Sequence, residues 1–244
     1  MMSEIEIVFP VLNEEKRLRR GIEETVAFCA RENINACYTI ADNGSSDGTL
    51  RIADELAQNI LNLKIISVGE RGVGLALKTA WLSPRAPVVG YMDIDLATDL
   101  KHLKEVQLKF KNPDVSVLSA SRLLKGAHVE NRTLLRGVTS RVFNKILKLR
   151  LGVRFSDGMC GFKFIRADLF KKIHDELSPL SNAWFFNTEF LVKSEWLGKT
   201  IEELPVHWVD DNDSRVDLLQ VSTNYLSEIE RLAKEKVQKV KKSK

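Results

Sequence analysis

Apolar positions along the chain follow two periods in alternation. Short β-rich runs over Glu4 to Phe9, Cys37 to Ala41, Leu63 to Val68, Val88 to Met92 and Val115 to Ala120 predict strands, the first of them stopping at Pro10. Between them, helical spacing predicts helices over Glu14 to Arg31, Asp47 to Gln58, Val73 to Leu82 and Leu100 to Phe110; in the first, Leu18, Ile22, Val26 and Cys29 share one face. Strands separated by helices of this length call for right-handed crossovers, so the pattern predicts an α/β fold with a mainly parallel sheet covered on both faces. The second half is less regular. It predicts helices over Thr133 to Leu149, Asn187 to Trp196 and Leu218 to Val240, with strands over Phe162 to Phe164 and Ile201 to Val206. No internal repeat or Pro/Gly-rich linker interrupts the chain, and one domain is expected.

In open α/β sheets, ligands bind beyond the carboxyl ends of the strands. Those positions are polar here. Pro10-Val11-Leu12-Asn13-Glu14-Glu15 follows the first strand, Asp42-Asn43-Gly44-Ser45-Ser46-Asp47-Gly48-Thr49 the second, and Asp93-Ile94-Asp95 the fourth. Asp93 and Asp95 can offer two hard oxygen groups to Mg²⁺ or Mn²⁺, with a nucleotide diphosphate completing the shell; the same spacing also suits a turn or a helix cap. The stretch from Asp42 to Thr49 reads either as turn and cap residues or as a loop that brings backbone N–H groups and Asp42 against a base or ribose. A G-x-G-x-x-G after a strand and a Walker lysine are both absent, which removes the support for hydride transfer and P-loop hydrolysis.

Composition and charge narrow the field. The chain has 244 residues, 44% hydrophobic and 29% charged, as an ordinary globular protein does. No run without Asp, Glu, Lys or Arg approaches the ~18 residues of a membrane span, and the start MMSEIEIVFP lacks the basic and apolar regions of a secretory signal. Cys29, Cys37 and Cys160 show no CxxC spacing, so reduced thiols and a cytoplasmic location are expected. The net charge of +4 conceals a polarity: residues 131 to 156 carry seven Arg or Lys and no acid, and residues 232 to 244 carry six Lys against Glu235. Such clustering points to an anionic partner met at particular places, although a Lys-rich chain end is also commonly just solvated. No groove-reading motif accompanies the basic segments, so no nucleic-acid partner is expected. His102, His128, His174 and His207 read by default as surface or core residues.

The ordered set P-x-x-N-E, D-N-G-S-S-D-G-T, R-G-x-G-x-A and D-x-D resembles the inverting family-2 glycosyltransferases of the GT-A fold. Within them the chain is most similar to the polyprenyl-phosphate hexosyl synthases, on the side of the dolichyl-phosphate β-glucosyltransferases. The matching residues are Pro10, Asn13 and Glu14; Asp42 to Thr49; Arg71, Gly72, Gly74 and Ala76; Asp93 and Asp95. The likeness continues through Ser121-Arg122, through Arg136, Ser140 and Asn144 spaced by four, and through Asp157-x-x-Cys160-Gly161-Phe162-Lys163. It covers roughly residues 4 to 217, and it implies a GT-A, Rossmann-like catalytic domain over 1–217 followed by a C-terminal helix and basic tail over 218–244.

The resemblance implies that Pro10, Asn13, Glu14, Asp42, Ser45, Arg71, Gly72 and Asp93 bind the nucleotide sugar, while Asp93 and Asp95 also hold Mg²⁺ or Mn²⁺. It places Asp157 in the catalytic set with Asp93 and Asp95, lining the sugar site, and gives Arg122, Arg136 and Ser140 the acceptor phosphate. The residue types agree, because guanidinium forks and a hydroxyl donor suit phosphate oxygens. A phosphate acceptor is already anionic near neutral pH and needs no strong general base. Ala97-Thr98 after the D-x-D, the stretch Trp184 to Glu189, and Glu203-Leu204-Pro205-Val206-x-Trp208 resemble the glucosyl branch, except that Asn187 stands where that branch usually has Asp. Taken alone, Trp184 and Phe185 read as core aromatics.

The expected activity is inverting transfer of a hexose, from UDP-glucose first and GDP-mannose second, to a polyprenyl phosphate. A soluble or glycan acceptor, and a non-enzymatic nucleotide-sugar sensor, are the alternatives. On the helix from Thr133 to Leu149, Leu135, Val138, Val142, Ile146 and Leu149 lie among basic residues. This stripe suits an anionic membrane surface and peripheral attachment, or else is buried by the fold.

Overall fold

The computed structural model describes residues 3–178, 183–210 and 218–242, with side chains over 224–238 in the last segment. The expected boundary between 217 and 218 lies outside the described residues. In chain order the first half runs β1 (Ile5–Val11), α1 (Leu18–Arg31), β2 (Ala36–Asp42), α2 (Thr49–Asn59), β3 (Leu63–Ser67), α3 (Val73–Leu82), β4 (Val88–Met92), α4 (His102–Phe110) and β5 (Val117–Ser121). The second half runs β6 (His128–Glu130), α5 (Leu134–Leu151), β7 (Phe162–Arg166), α6 (Ala167–His174), α7 (Phe186–Trp196), β8 (Ile201–Pro205), β9 (His207–Val209) and α8 (Leu218–Lys242).

Seven strands form one sheet in the order β3-β2-β1-β4-β7-β5-β8, and β6 pairs with β9 in a separate two-stranded ribbon. The large sheet is parallel except for β7, which lies antiparallel between β4 and β5. This mixed α/β architecture fulfils the expectation of a mainly parallel sheet flanked by helices. The antiparallel strand has a consequence for the site: with Met92 opposite Phe162, the residues entering β7 lie at the same sheet edge as those leaving β4.

Successive strand residues feed two cores, one on each face. On β1, Ile5, Ile7, Phe9 and Val11 join the core that includes Leu18 and Ile22 of α1, whereas Val8 joins the core built on α3, α6 and α7. Trp81 centres this second core, with Phe170 and Phe190 edge-on at 5.1 and 5.4 Å between ring centroids. Tyr225, Ile229 and Leu232 of α8 are buried in the same core. Gly90 is required by a cross-strand neighbour, because a Cβ there would meet the Phe164 ring at 2.0 Å.

Several boundaries differ from the sequence expectation for identifiable reasons. β1 continues through Pro10, which lies beyond the last pairing of β1 with β4 and has only β2 beside it, so its missing N–H breaks no ladder. The first helix starts at Leu18 rather than Glu14. Asn13 is left-handed at φ 57°, and the Glu14 amide donates to Thr49 Oγ1, so this segment is tied to the neighbouring loop. The sequence reading missed β6, α6 and β9, the two strands being three residues each and the helix eight. Phe185 is buried as expected, but Trp184 is 43% exposed, which corrects its reading as a core residue. Among the described residues no helix is long and apolar enough to cross a membrane. The three cysteines are buried and free.

Candidate active site

The carboxyl ends of β1 and β2 are laced together by their loops. Asn13 N donates to Ser45 Oγ at 2.9 Å, and Asn13 Oδ1 accepts from Ser46 N at 2.8 Å. Asn43 turns its side chain back to the Val11 carbonyl and accepts from Gly72 N at 3.5 Å, which ties in the start of α3. Asp42 is fully buried and receives the Gly44 and Ser45 amides and the Ser67 hydroxyl. Its carboxylate thus shapes the turn it begins. Gly44 sits at φ +91° with the backbone of Glu70 close by, so only glycine suits this position. Arg71 is exposed at the rim beside it.

At the end of β4 the chain turns sharply. Leu96 has φ 59°, its amide donates to the Asp93 carbonyl, and Asp95 Oδ1 accepts from Ala97 N at 3.0 Å. The turn holds two carboxylates side by side. Burial, reinforced by the charge on Asp95, pushes the Asp93 carboxyl up to about 8, while Lys163 and Arg122 pull the other way. Gly161 lies directly over Asp93: a Cβ there would come within 1.8 Å of Oδ2. A strained turn presenting two oxygen donors that repel one another is what a divalent cation relieves, so these residues fit Mg²⁺ or Mn²⁺.

The segment entering β7 carries Asp157 to the same edge. Asp157 is fully buried and holds Arg122 in a fork, with Nε to Oδ2 at 2.8 Å and Nη2 to Oδ1 at 3.1 Å; Oδ2 also accepts the Arg122 amide. Burial alone would raise this carboxyl, but the Arg122 charge and hydrogen bonds outweigh it and hold it at about 2. Burial disfavours the Arg122 charge, and Asp157 overcomes that, keeping the guanidinium firmly ionised. Lys163, also fully buried, donates to the Cys160 carbonyl and is lowered to about 8 by burial.

From Arg122 the polar strip continues through β9 to α5. The Arg122 guanidinium stacks on Trp208 at 4.8 Å, and Trp208 Nε1 donates to Asp210 Oδ1 at 2.9 Å. Asp210 pairs with Arg132 at 3.0 Å and with Arg136 at 3.8 Å. Arg132 in turn donates to Ser140 Oγ. Arg136, Ser140 and Asn144, spaced by four, share the inner face of α5, where Asn144 Oδ1 accepts from Gly158 N in the Asp157 loop. Burial and the nearby Arg122 both lower the affinity of Arg132 for its proton. Three arginines therefore crowd around two buried carboxylates, an arrangement with spare capacity for an anion.

The structure thus gathers Asp93, Asp95, Asp157, Arg122, Arg136 and Ser140 along one continuous edge, with the loops of Asn13, Glu14, Asp42, Ser45 and Gly72 at the neighbouring strand ends. Pro10 is buried within β1 beside them. Arg132 and Asp210 were absent from the sequence-derived set. The one signal for Arg132 was the acid-free basic run over 131 to 156; Asp210 had none, because its partner lies 78 residues away.

The model of glycosyl transferase family 2 matches residues 6–174. Glycosyltransferase AglD of Haloferax volcanii is 31% identical over 222 residues, covering 89% of this chain and 35% of that protein. Dolichyl-phosphate beta-glucosyltransferase ALG5C of Trichomonas vaginalis is 27% identical over 226 residues, covering 86% of this chain and 65% of its own. The chain therefore spans about a third of the first relative and just under two thirds of the second. Among solved structures, glucosyl-3-phosphoglycerate synthase from Mycobacterium tuberculosis, in complex with Mn²⁺, UDP-glucose and phosphoglyceric acid, superposes with a TM-score of 0.65 at 15% identity, covering 94% of this chain and 78% of that one. That likeness extends to the fold.

Proposed function

The chain belongs to glycosyl transferase family 2, and from that membership we propose that it moves a hexose, with inversion, from a nucleotide diphosphate sugar to a polyprenyl phosphate. UDP-glucose is the first donor and GDP-mannose the second. The observation that carries this reading is the single polar edge joining the Asp93–Asp95 turn to the Arg122, Arg132 and Arg136 cluster through Asp157, Trp208 and Asp210. The names of the dolichyl-phosphate beta-glucosyltransferases among its relatives support the lipid acceptor.

In this reading Asp93 and Asp95 hold Mg²⁺ or Mn²⁺, which when bound neutralises charge on the departing diphosphate. The loops carrying Asn13, Glu14, Asp42, Ser45, Arg71 and Gly72 grip the nucleotide. Arg122, Arg136 and Ser140, joined by Arg132, receive the acceptor phosphate, and the clamp of Asp157 on Arg122 keeps that guanidinium charged and correctly spaced. The acceptor oxygen is already ionised, so Asp157, held near a pKa of about 2, orients rather than abstracts a proton.

Membrane attachment is peripheral in this reading, on the cytoplasmic face. Leu135, Val138, Val142 and Leu149 of α5 are all more than half exposed, and Arg141, Lys145 and Lys148 stand exposed on the same helix. Such a face suits an anionic lipid surface, which would bring the acceptor to the arginines on the helix's other side. Residues 1–217 serve as the catalytic domain and 218–244 as the closing helix and tail.

The test is incubation of the purified protein with Mg²⁺ or Mn²⁺, separate nucleotide sugars and a short polyprenyl phosphate, followed by mass detection of lipid-linked hexose. A product whose formation is lost in Asp95→Ala supports the reading and excludes a sensor. Transfer only to a soluble phosphate such as phosphoglycerate overturns the lipid acceptor and favours the chemistry in the name of the Mycobacterium tuberculosis enzyme.

A further inference from the structure

Away from the catalytic edge, the β6–β9 ribbon collects two of the four histidines. Its register sets His128 opposite His207 and Glu130 opposite Val209. Residues two apart on a strand share a face, so His128, Glu130 and His207 project from one side while Trp208 projects from the other, beneath Arg122. One ligand atom from each of the three lies within 4.8 Å of the others. Glu130 Oε1 is 2.6 Å from His207 Nε2 and 3.3 Å from His128 Nε2.

We propose that His128, Glu130 and His207 form a second metal site, separate from Asp93 and Asp95, that takes a transition-metal ion of the Zn²⁺ class. Two imidazoles and one carboxylate favour zinc over the magnesium or manganese suited to an all-oxygen pair. Tetrahedral bonds of ~2.0–2.1 Å need donor atoms roughly 3.3 Å apart, a spacing within a small side-chain rotation of the observed one.

A second layer sets the donor atom. His207 Nδ1 faces Asp99 Oδ2 at 3.4 Å, which leaves Nε2 to the metal, as in carboxylate–histidine–metal arrangements. The backbone beneath is fastened as well: His207 N donates to the buried His102 Nε2 at 2.9 Å, Asp99 N to the His207 carbonyl, and Asp210 N to the Glu130 carbonyl. A fourth coordination position remains for water. The ion would staple β6 to β9, and so stiffen the strand whose opposite face carries Trp208 under Arg122, just ahead of Asp210 between Arg132 and Arg136. The site stands on its own residues and does not depend on the proposed acceptor.

The experiment is equilibrium dialysis of the full metal-free chain against Zn²⁺ at neutral pH in millimolar Mg²⁺, with Co²⁺ absorption as the second readout. One retained Zn²⁺ per chain, an intense tetrahedral Co²⁺ band, and affinity weakened at least tenfold in both His128→Gln and Glu130→Gln are expected. Asp99→Asn should weaken it less, and Asp95→Ala should leave it unchanged. His128 is 72% exposed, so its replacement leaves the fold intact. No retained Zn²⁺, retention unaltered in His128→Gln, or loss in Asp95→Ala would each overturn the site.

Discussion

At the scale of single residues, the Arg122–Asp157 pair governs the middle of the site. Both groups are out of water, so removing one leaves the other charged and unpaired, which costs about 3–5 kcal/mol. Asp157→Asn should therefore lower the unfolding free energy by that amount, read by urea titration. The pair also sets an acid limit. On acidification the unfolded chain binds the Asp157 proton near pH 4, whereas the folded carboxyl resists to about 2. Its contribution, on the order of 2 kcal/mol, is thus fully present above pH 4 and lost as pH falls toward 2. Unfolding titrations between pH 5 and 2 should show that slope in the wild type and a shallower one in Asp157→Asn. Gly161 is a second sensitive point, since an added methyl would fall 1.8 Å from Asp93 Oδ2 and must displace that carboxylate. Gly161→Ala should reduce metal-dependent turnover about a hundredfold, the usual cost of a displacement near 1 Å. Circular dichroism should remain native; turnover at the wild-type rate would contradict the role given to Asp93.

At the scale of elements, α5 has two separable faces. Arg136, Ser140 and Asn144 turn inward to the polar strip, and Leu147 and Leu151 enter the core. Leu135, Val138, Val142 and Leu149 turn outward, and among the described residues nothing covers them, whereas Ile146 is partly buried. Replacing Leu135 and Val138 together by Glu should cut co-sedimentation with anionic vesicles several-fold. Stability should change by no more than ~0.5 kcal/mol per site, because both side chains are exposed. Co-sedimentation equal to that of the unaltered protein would remove the membrane-facing role. The contrast follows from the helical period: residues four apart share a face, so one segment presents a polar cluster on one side and an exposed apolar stripe on the other.

At the scale of the whole molecule, two cores on opposite faces of one sheet hold the strand ends in place. Trp81 is completely buried among Tyr91, Phe170, Phe186 and Phe190, and so joins α3, β4, α6 and α7. Trp81→Ala should cost about 3–5 kcal/mol, measurable by denaturant titration, since the surrounding rings close only partly over the cavity. The antiparallel insertion of β7 is the larger architectural decision. It brings the Asp157–Gly161 segment to the edge where β4 ends, and without it Asp93 and Asp157 would occupy opposite ends of the sheet.

The alternation of strands and helices, the mainly parallel sheet and the polar strand ends were all legible along the chain. Each depends on residues within a few positions of one another, where side-chain period and turn chemistry act directly. Short elements were not: β6 and β9 contain too few residues for a period to show, and α6 is only eight residues long, although Leu169, Phe170 and Ile173 do share its buried face. The pairings were hidden for a different reason. Arg122 meets Asp157 across 35 residues, Arg132 meets Asp210 across 78, and His207 meets Glu130 across 77. Local periodicity carries no information about which distant segment returns to lie alongside. Strand order and register supply it, and these follow from burying both faces of the sheet at once. Residue types and their spacing were therefore enough to point to strand ends rich in carboxylates and to a basic helix, while the partners of those groups, their protonation and the face each one presents came from the packing of segments far apart in the chain.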